Sequence, residues 1–364
     1  MAADSTLNLD ETPTERAPTR TASPIRRGRV AVRVVALLIL LAVTLGAGEL
    51  VARMVQPPPA RGINLQPRVP LNSLGQHDVE HELAKPPGTV RVLCLGDSFT
   101  FGRGIDLPDL YCHRLERLLE SHLRRAHNHA RVESLSFAAE GYSTARELRM
   151  LERRGGLDYR PDVLVLGYVL NDPEDESNPD ELKRLREPTM VWHPRGWMGW
   201  LTRNSALTGW MYQRLENTRR YRAFERYYHF IHRPEYPGWR RCQESFQRLA
   251  ELTKASGTQV LVAIFPFVDF PLGEKYPFED LHEQVAELAR SNGFAALDLR
   301  PTLAAHESPA LQRVFGLDPH PSAGANHLVA RAIADEIVRL GWLKTAPSVR
   351  APEVAEAADA RAER

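Results

Sequence analysis

Two short stretches of this chain carry side chains of the types that acyl transfer needs. The first is Gly96-Asp97-Ser98-Phe99-Thr100-Phe101-Gly102, which follows the apolar run Val90 to Leu95. Such a run reads as a buried strand, so Ser98 falls on the turn at its carboxyl end. In an open α/β sheet ligands sit beyond the strand C-termini, where a serine hydroxyl and backbone N–H groups converge on one spot. The second stretch is Asp318-Pro319-His320-Pro321-Ser322, which leads into the helical pattern Gly324 to Leu340. A serine attacks well only if a base takes its proton, and an imidazole base needs a carboxylate to fix its tautomer and stabilise the imidazolium. Ser98, His320 and Asp318 are therefore the candidate nucleophile, base and orienting carboxylate. The plain alternative is that Gly-Asp-Ser only caps the next helix and that Asp-Pro-His-Pro is only a turn.

These two blocks, with two more between them, resemble the SGNH (GDSL-type) hydrolase family over about Val90 to Leu340. The resemblance implies that Ser98 is the nucleophile. It also implies an oxyanion hole made by the N–H of Ser98, the N–H of Gly141 and the side-chain amide of Asn171. Gly141 lies in Ser136-Phe137-Ala138-Ala139-Glu140-Gly141-Tyr142-Ser143, and Asn171 ends the apolar run Val163 to Leu170. Asp318 and His320 match the last block. Two positions depart from the family's commonest pattern: Val169 stands where a glycine usually precedes the asparagine, and Leu317 where the aspartate usually precedes the histidine. Asp318 is the nearest carboxylate before His320, and Asp298, after the presumed last strand, is the alternative.

To bring these blocks together the chain needs a sheet, and its patterning supplies one. Strand signals at Val90 to Leu95, Val132 to Phe137, Val163 to Leu170, Val260 to Phe265 and Ala295 to Leu299 alternate with helical ones. The helical stretches are Leu110 to Ala126, Ser143 to Arg153, Cys242 to Ala255, Phe278 to Ser291 and the last one. Short apolar strands separated by amphipathic helices predict an α/β protein with a five-stranded parallel sheet in a three-layer α/β/α sandwich. The resemblance makes this the flavodoxin-like SGNH hydrolase fold. The domain is expected over 88–344, with an interruption over 173–241 that holds five of the six tryptophans. Because it begins beside Asn171, that insertion reads as a lid or substrate platform; its Trp and Tyr also suit a membrane interface near the N-terminal helix, and the plain alternative is a helical subdomain with its own aromatic core.

Ahead of the domain, Val34 to Gly48 is uncharged and strongly apolar, and residues 30–55 together are long enough to span a bilayer. Arg16, Arg20, Arg26, Arg27, Arg29 and Arg33 precede it, against Arg53, Arg61 and Arg68 beyond it. The positive-inside rule then puts residues 1–29, a disordered tail, in the cytoplasm and the catalytic domain outside. The expectation is a single-pass protein of the inner (cytoplasmic) membrane with a periplasmic catalytic domain. The competing reading is a cleaved signal peptide, with Gly46-Ala47-Gly48 as the small residues at its cleavage site. Residues 56–87 read as a proline-stiffened linker and 345–364 as a second disordered tail.

Lys and Arg number 47 against 46 Asp and Glu, so the net charge of +1 gives no electrostatic footprint for nucleic acid. Cys94 falls in the first strand, while Cys112 and Cys242 either pair or stay free. No Cys or His spacing calls for a metal, and the implied chemistry needs no cofactor. The sequence thus predicts an extracytoplasmic serine esterase acting on an O-acyl ester, of carbohydrate or lipid, and held to a membrane by its N-terminal helix. The same residues would serve an O-acyltransferase acting on a cell-envelope polysaccharide. A catalytically silent envelope binding protein would keep only the fold.

Overall fold

The computed structural model of the chain describes residues 24–55, 70–312 and 319–343. The expected tail before Pro24, the linker over 56–69 and the tail over 345–364 lie outside the described residues. The chain divides into two compact units. One combines Met1–Ala60 with His193–Leu215, and the other combines Arg61–Trp192 with Glu216–Arg364.

The larger unit is built on five strands: β1 (Thr89–Gly96), β2 (Arg131–Ala138), β3 (Val163–Tyr168), β4 (Gln259–Ile264) and β5 (Ala295–Asp298). They form one sheet in the order β2-β1-β3-β4-β5, and every pairing is parallel. Central strands β1 and β3 are buried along their whole length, because helices cover both faces. Helices Tyr111–Arg125 and Ala323–Arg339 pack together on one side, and helices Thr144–Arg153, Pro237–Ser256 and Glu279–Ser291 follow one another on the other. This is the expected three-layer α/β/α sandwich with its parallel sheet.

The order of the strands decides where a ligand can sit. Connections leave β1 toward β2 on one side, and the chain returns to pair β3 on the other, so the crevice opens beyond the carboxyl ends of β1 and β3. There the backbones come close. Gly96 and Gly167 are register partners, and a Cβ on Gly96 would collide with the Thr100 hydroxyl while lying 3.2 Å from Gly167 O. The absent side chains leave room for Thr100, whose Oγ1 lies 3.0 Å from Tyr111 OH in a fully buried position.

Three boundaries differ from the sequence-based expectation. Residues 70–87 are not a tether. Gln76, His77 and Asp78 are buried, and Gln76 and Asp78 finish the open edge of the sheet at β2. Ala138 N–H donates to Gln76 Oε1 and Ser136 N–H to Asp78 Oδ2, both at 2.7 Å. Ser134 and Val132 N–H find Glu116 and Glu120 of helix Tyr111–Arg125, so four ladder donors of the edge strand are satisfied by side chains. The fully buried Arg91 fixes the same segment by donating to the carbonyls of Glu82, Leu83 and Ala84. Second, the aromatic insertion does not end at Arg241, because helix Pro237–Ser256 runs through that position. Tyr227, Tyr228, Tyr236 and Trp239 belong to the core, with the Tyr228 ring 4.8 Å from Phe267 and 5.5 Å from Phe278. Third, the N-terminal helix starts at Pro24 and not at Val30, consistent with proline's preset φ at a first helical turn. Cys94, Cys112 and Cys242 are all buried and unpaired.

Gly96→Ala is expected to lower the stability of the domain by about 1–3 kcal/mol, since the new methyl group has no room beside Thr100. Thermal unfolding checks this, at roughly 2–4 °C per kcal/mol for a domain of this size. A midpoint equal to the parent's would show that the close approach of β1 and β3 is dispensable.

Candidate active site

Ser98 opens a short helix, Ser98–Phe101, directly after β1. The turn holds because Asp97 caps it, its Oδ1 accepting the Phe99 N–H at 2.9 Å, and because Gly102 closes it with φ at 63°. Ser98 is only partly buried, whereas Asp97, Phe99 and Thr100 around it are buried. The fold thus presents one hydroxyl at the mouth of the crevice on a turn fixed from beneath.

His320 comes to that hydroxyl from the far end of the chain. Its Nε2 lies 2.8 Å from Ser98 Oγ, a hydrogen-bond distance, and its ring centroid is 4.9 Å from that of Phe99. An isolated bridge between Gln312 and Pro321 holds the loop that carries it, with Ser322 N–H donating to Leu311 O at 2.8 Å. Ser322 in turn caps helix Ala323–Arg339 through the Ala325 N–H. With Nε2 facing the serine, Nδ1 is on the ring edge from which an orienting carboxylate approaches. Asp318 lies outside the described residues. The alternative carboxylate, Asp298, is not brought to His320. Its Oδ1 lies 2.8 Å from His282 Nδ1 and accepts the Arg300 N–H.

The other two expected positions follow the ends of the strands flanking β1. Asn171 comes after β3, which stops at Tyr168 because Asp172 turns the chain. Its N–H donates to Val169 O at 2.9 Å, and its Oδ2 accepts the Val169 N–H. Asn171 Nδ2 donates to Asp97 Oδ2 at 3.2 Å, which ties the β3 turn to the Ser98 turn. Gly141 follows β2, whose last residue Ala138 is the register partner of Gly96. It has φ at 68°, a left-handed conformation that favours glycine, and Ala139 N–H donates to Gly96 O. Arg103 and Glu140 form an ion pair across the rim, joining the Ser98 and Gly141 loops.

What sequence reasoning missed is the layer under the serine. Asp97, Asp172 and Glu147 are all buried, and neither carboxylate oxygen of Glu147 meets a hydrogen-bond donor among the described residues. Burial pushes the Glu147 carboxyl well up from its ordinary range, and the neighbouring Asp172 and Asp97 charges add to this. Burial likewise raises Asp172, with Asp97 adding to it. Asp97 is raised by burial too, against the opposing donation from Phe99 N–H and Asn171. Low dielectric and mutual repulsion thus favour protonated carboxyls here. The signal was present in Asp97 and Asp172, each adjacent to a site residue. Glu147 reads only as one more helical glutamate.

A carboxyl whose pKa is raised on folding keeps its proton after the unfolded chain has released it. Stability therefore falls as pH rises above about 4.5, the ordinary value for Glu147. Glu147→Gln removes that proton linkage. Its stability is expected to fall less steeply over the same range, by up to about 1.4 kcal/mol per pH unit. Denaturant unfolding at a series of pH values checks it, and parallel curves for parent and variant would count against a protonated Glu147.

The sequence model of the GDSL-like Lipase/Acylhydrolase family matches residues 94–328. No curated protein matches the chain. Among solved structures it is similar to TesA, at 15% identity and a TM-score of 0.40, over 69% of this chain and 99% of that one. The esterase EstA of Pseudoalteromonas sp. gives 14% identity and a TM-score of 0.38, covering 69% of this chain and 97% of the other. A catalytic mutant of an acetylxylan esterase from Geobacillus stearothermophilus gives 14% identity and 0.39, over 71% and 97%. The family match begins in β1 at the strand that leads to Ser98 and ends inside the last helix, past His320. Spanning that much of the chain, it makes this protein a member of the GDSL-like lipase/acylhydrolase family, an SGNH-type carboxylic ester hydrolase.

Proposed function

We propose that this hydrolase cleaves an O-acyl ester of a carbohydrate or lipid outside the cytoplasmic membrane, with Ser98 as nucleophile and His320 as general base. One observation carries the reading: the 2.8 Å separation of Ser98 Oγ and His320 Nε2, between groups from opposite ends of the domain. Ser98 Oγ attacks the ester carbonyl carbon while His320 Nε2 takes its proton. Asp318 orients the ring and stabilises the imidazolium. The tetrahedral oxyanion is held by the N–H groups of Ser98 and Gly141 and by the Asn171 amide. Nδ2 of Asn171 carries two hydrogens, so its bond to Asp97 leaves one for the oxyanion and fixes the direction in which it points. His320 then protonates the departing alcohol oxygen as the carbon–oxygen bond breaks, leaving an acyl-serine. Water, deprotonated by the same nitrogen, releases the acid and restores Ser98.

The membrane part of the reading rests on the N-terminal helix. Its apolar span Arg29–Val55 has 27 residues, about 40 Å of helix against a hydrocarbon core of about 30 Å. That span is exposed to solvent along its most apolar stretch, as a helix meant for lipid must be. The excess of arginine before it supports a cytoplasmic N-terminus and a hydrolase domain on the far side.

Ser98→Ala and His320→Ala are each expected to abolish ester hydrolysis to a similar extent while the domain stays folded, since the two groups act as one unit. Steady-state kinetics beside circular dichroism checks this, and near-parental turnover in either variant would remove the pair from catalysis. Asn171→Ala separates two roles. A donor to the oxyanion loses about a hundredfold to a thousandfold in kcat with little change in KM. An asparagine that only shapes the turn costs about 1 kcal/mol of stability and leaves kcat of the folded enzyme intact.

A further inference from the structure

The smaller unit holds a carboxylate in an unusual place. Glu49 is the single acidic residue of the apolar span Arg29–Val55. It is bonded to the start of helix Ala206–Ile231, within this same unit. Its Oε1 accepts the Ala206 N–H at 2.9 Å, and its Oε2 accepts the Leu207 N–H at 2.9 Å and the Ser205 hydroxyl at 2.8 Å. A carboxylate there satisfies orphan helix donors and complements the positive end of the helix dipole. Gly48 lets Leu207 approach closely, and Ala52, one turn on, is only 6% exposed. One face of the N-terminal helix is thus covered at the level of residues 48–52, and its neighbours Leu50, Val51, Met54 and Val55 are left bare.

The segment docked there is itself built. Helix Gly196–Asn204 meets the first turns of helix Ala206–Ile231 through Gly209, where a Cβ would fall 2.8 Å from Thr202 O, and Thr208 Oγ1 donates to Leu201 O at 2.9 Å. What this hairpin shows to solvent is apolar and aromatic. Trp197 is 74% exposed and Trp200 61%, with Trp210, Met211 and Leu215 also bare. The Arg214 guanidinium lies 5.1 Å from the Trp210 ring. Soluble surfaces seldom carry such a patch, whereas tryptophan beside arginine is the composition of a membrane–water interface. The depth agrees. From Arg29 to Glu49 the helix rises about 30 Å, the thickness of a hydrocarbon core, so Glu49 and the hairpin it holds fall at the headgroup boundary.

We infer that residues 196–215 are a membrane-interface collar: a hairpin clasped to the anchor by Glu49 and seated among the headgroups of a phospholipid bilayer through Trp197, Trp200 and Trp210. The inference rests on the reading of the N-terminal helix as an anchor. The collar fixes the helix end against the surface, so the chain leaves the bilayer as two joined elements instead of one swivelling helix.

The full chain, reconstituted into vesicles of phosphatidylethanolamine and phosphatidylglycerol, gives the test. Tryptophan fluorescence is compared between the parent and a variant carrying Trp197→Phe, Trp200→Phe and Trp210→Phe, with quenchers either dissolved in water or attached to the lipid at headgroup or deep acyl positions. The signal that the variant lacks is expected to be quenched by the headgroup probe and little by the deep probe or by iodide. Glu49→Ala is expected to move that signal toward iodide, and Glu49→Gln, whose amide oxygen still accepts hydrogen bonds, to keep most of the shielding. The variants are expected to match the parent on a water-soluble acetyl ester, showing that the domain is intact. Protein that survives an alkaline wash with the three tryptophans open to iodide would overturn the collar and leave the anchor standing. Tryptophans shielded from water and lipid alike would overturn it in favour of a second copy of the chain. Protein lost in the wash would overturn anchor and collar together.

Discussion

The buried carboxylate of Asp97 is the contact on which the site depends. It takes the Phe99 N–H and so fixes the turn that carries Ser98, and it takes the Asn171 amide and so fixes the turn after β3. Asp97 itself is fully buried, so its oxygens have no water to fall back on if either donor is misdirected. Two loops from adjacent strands are therefore set against each other by one group. The hydrogen bond to His320 is then made on a serine that has little freedom to move. The glycines beneath, Gly96 and Gly167, allow the close packing that brings the two strand ends within reach of that carboxylate.

This rigidity has a cost, visible in the carboxyls of Glu147 and Asp172 behind Asp97. Burial raises the proton affinity of all three acidic side chains, and Asp97 adds to it at Asp172 while both add to it at Glu147. An apolar residue at 147 would avoid the burden, and nothing in the packing of helix Thr144–Arg153 explains its absence.

The aromatic stretch between β3 and β4 divides by burial. From Tyr227 onward its rings close the core around Phe267, Phe270 and Phe278, which is ordinary packing of large side chains. Over 196–215 the rings face outward, within the unit that includes the N-terminal helix. Composition leaves open a lid or substrate platform at the active site, a membrane interface near the anchor, and an aromatic subdomain with a core of its own. The exposure of Trp197 and Trp200, in the unit that includes a helix long enough to cross a bilayer, favours the second of these.

From the sequence alone came the things that local pattern governs: the alternation of strands and helices, the parallel sheet, and the placing of Ser98 just past an apolar run. These follow because hydrophobic periodicity and turn chemistry are read over a few residues. His320 is legible in the sequence for the same reason, because an aspartate and a histidine between prolines before a helix form a local pattern too. The distance between Ser98 and His320 could be decided only by the tertiary structure, since it joins the first strand to a loop more than two hundred residues later. So were the pairing of Asp298 with His282, the sealing of the β2 edge by Gln76 and Asp78, and the buried trio of carboxyls. Each depends on which strands are neighbours and in what register, and a residue's own type carries no record of what the sheet sets opposite it.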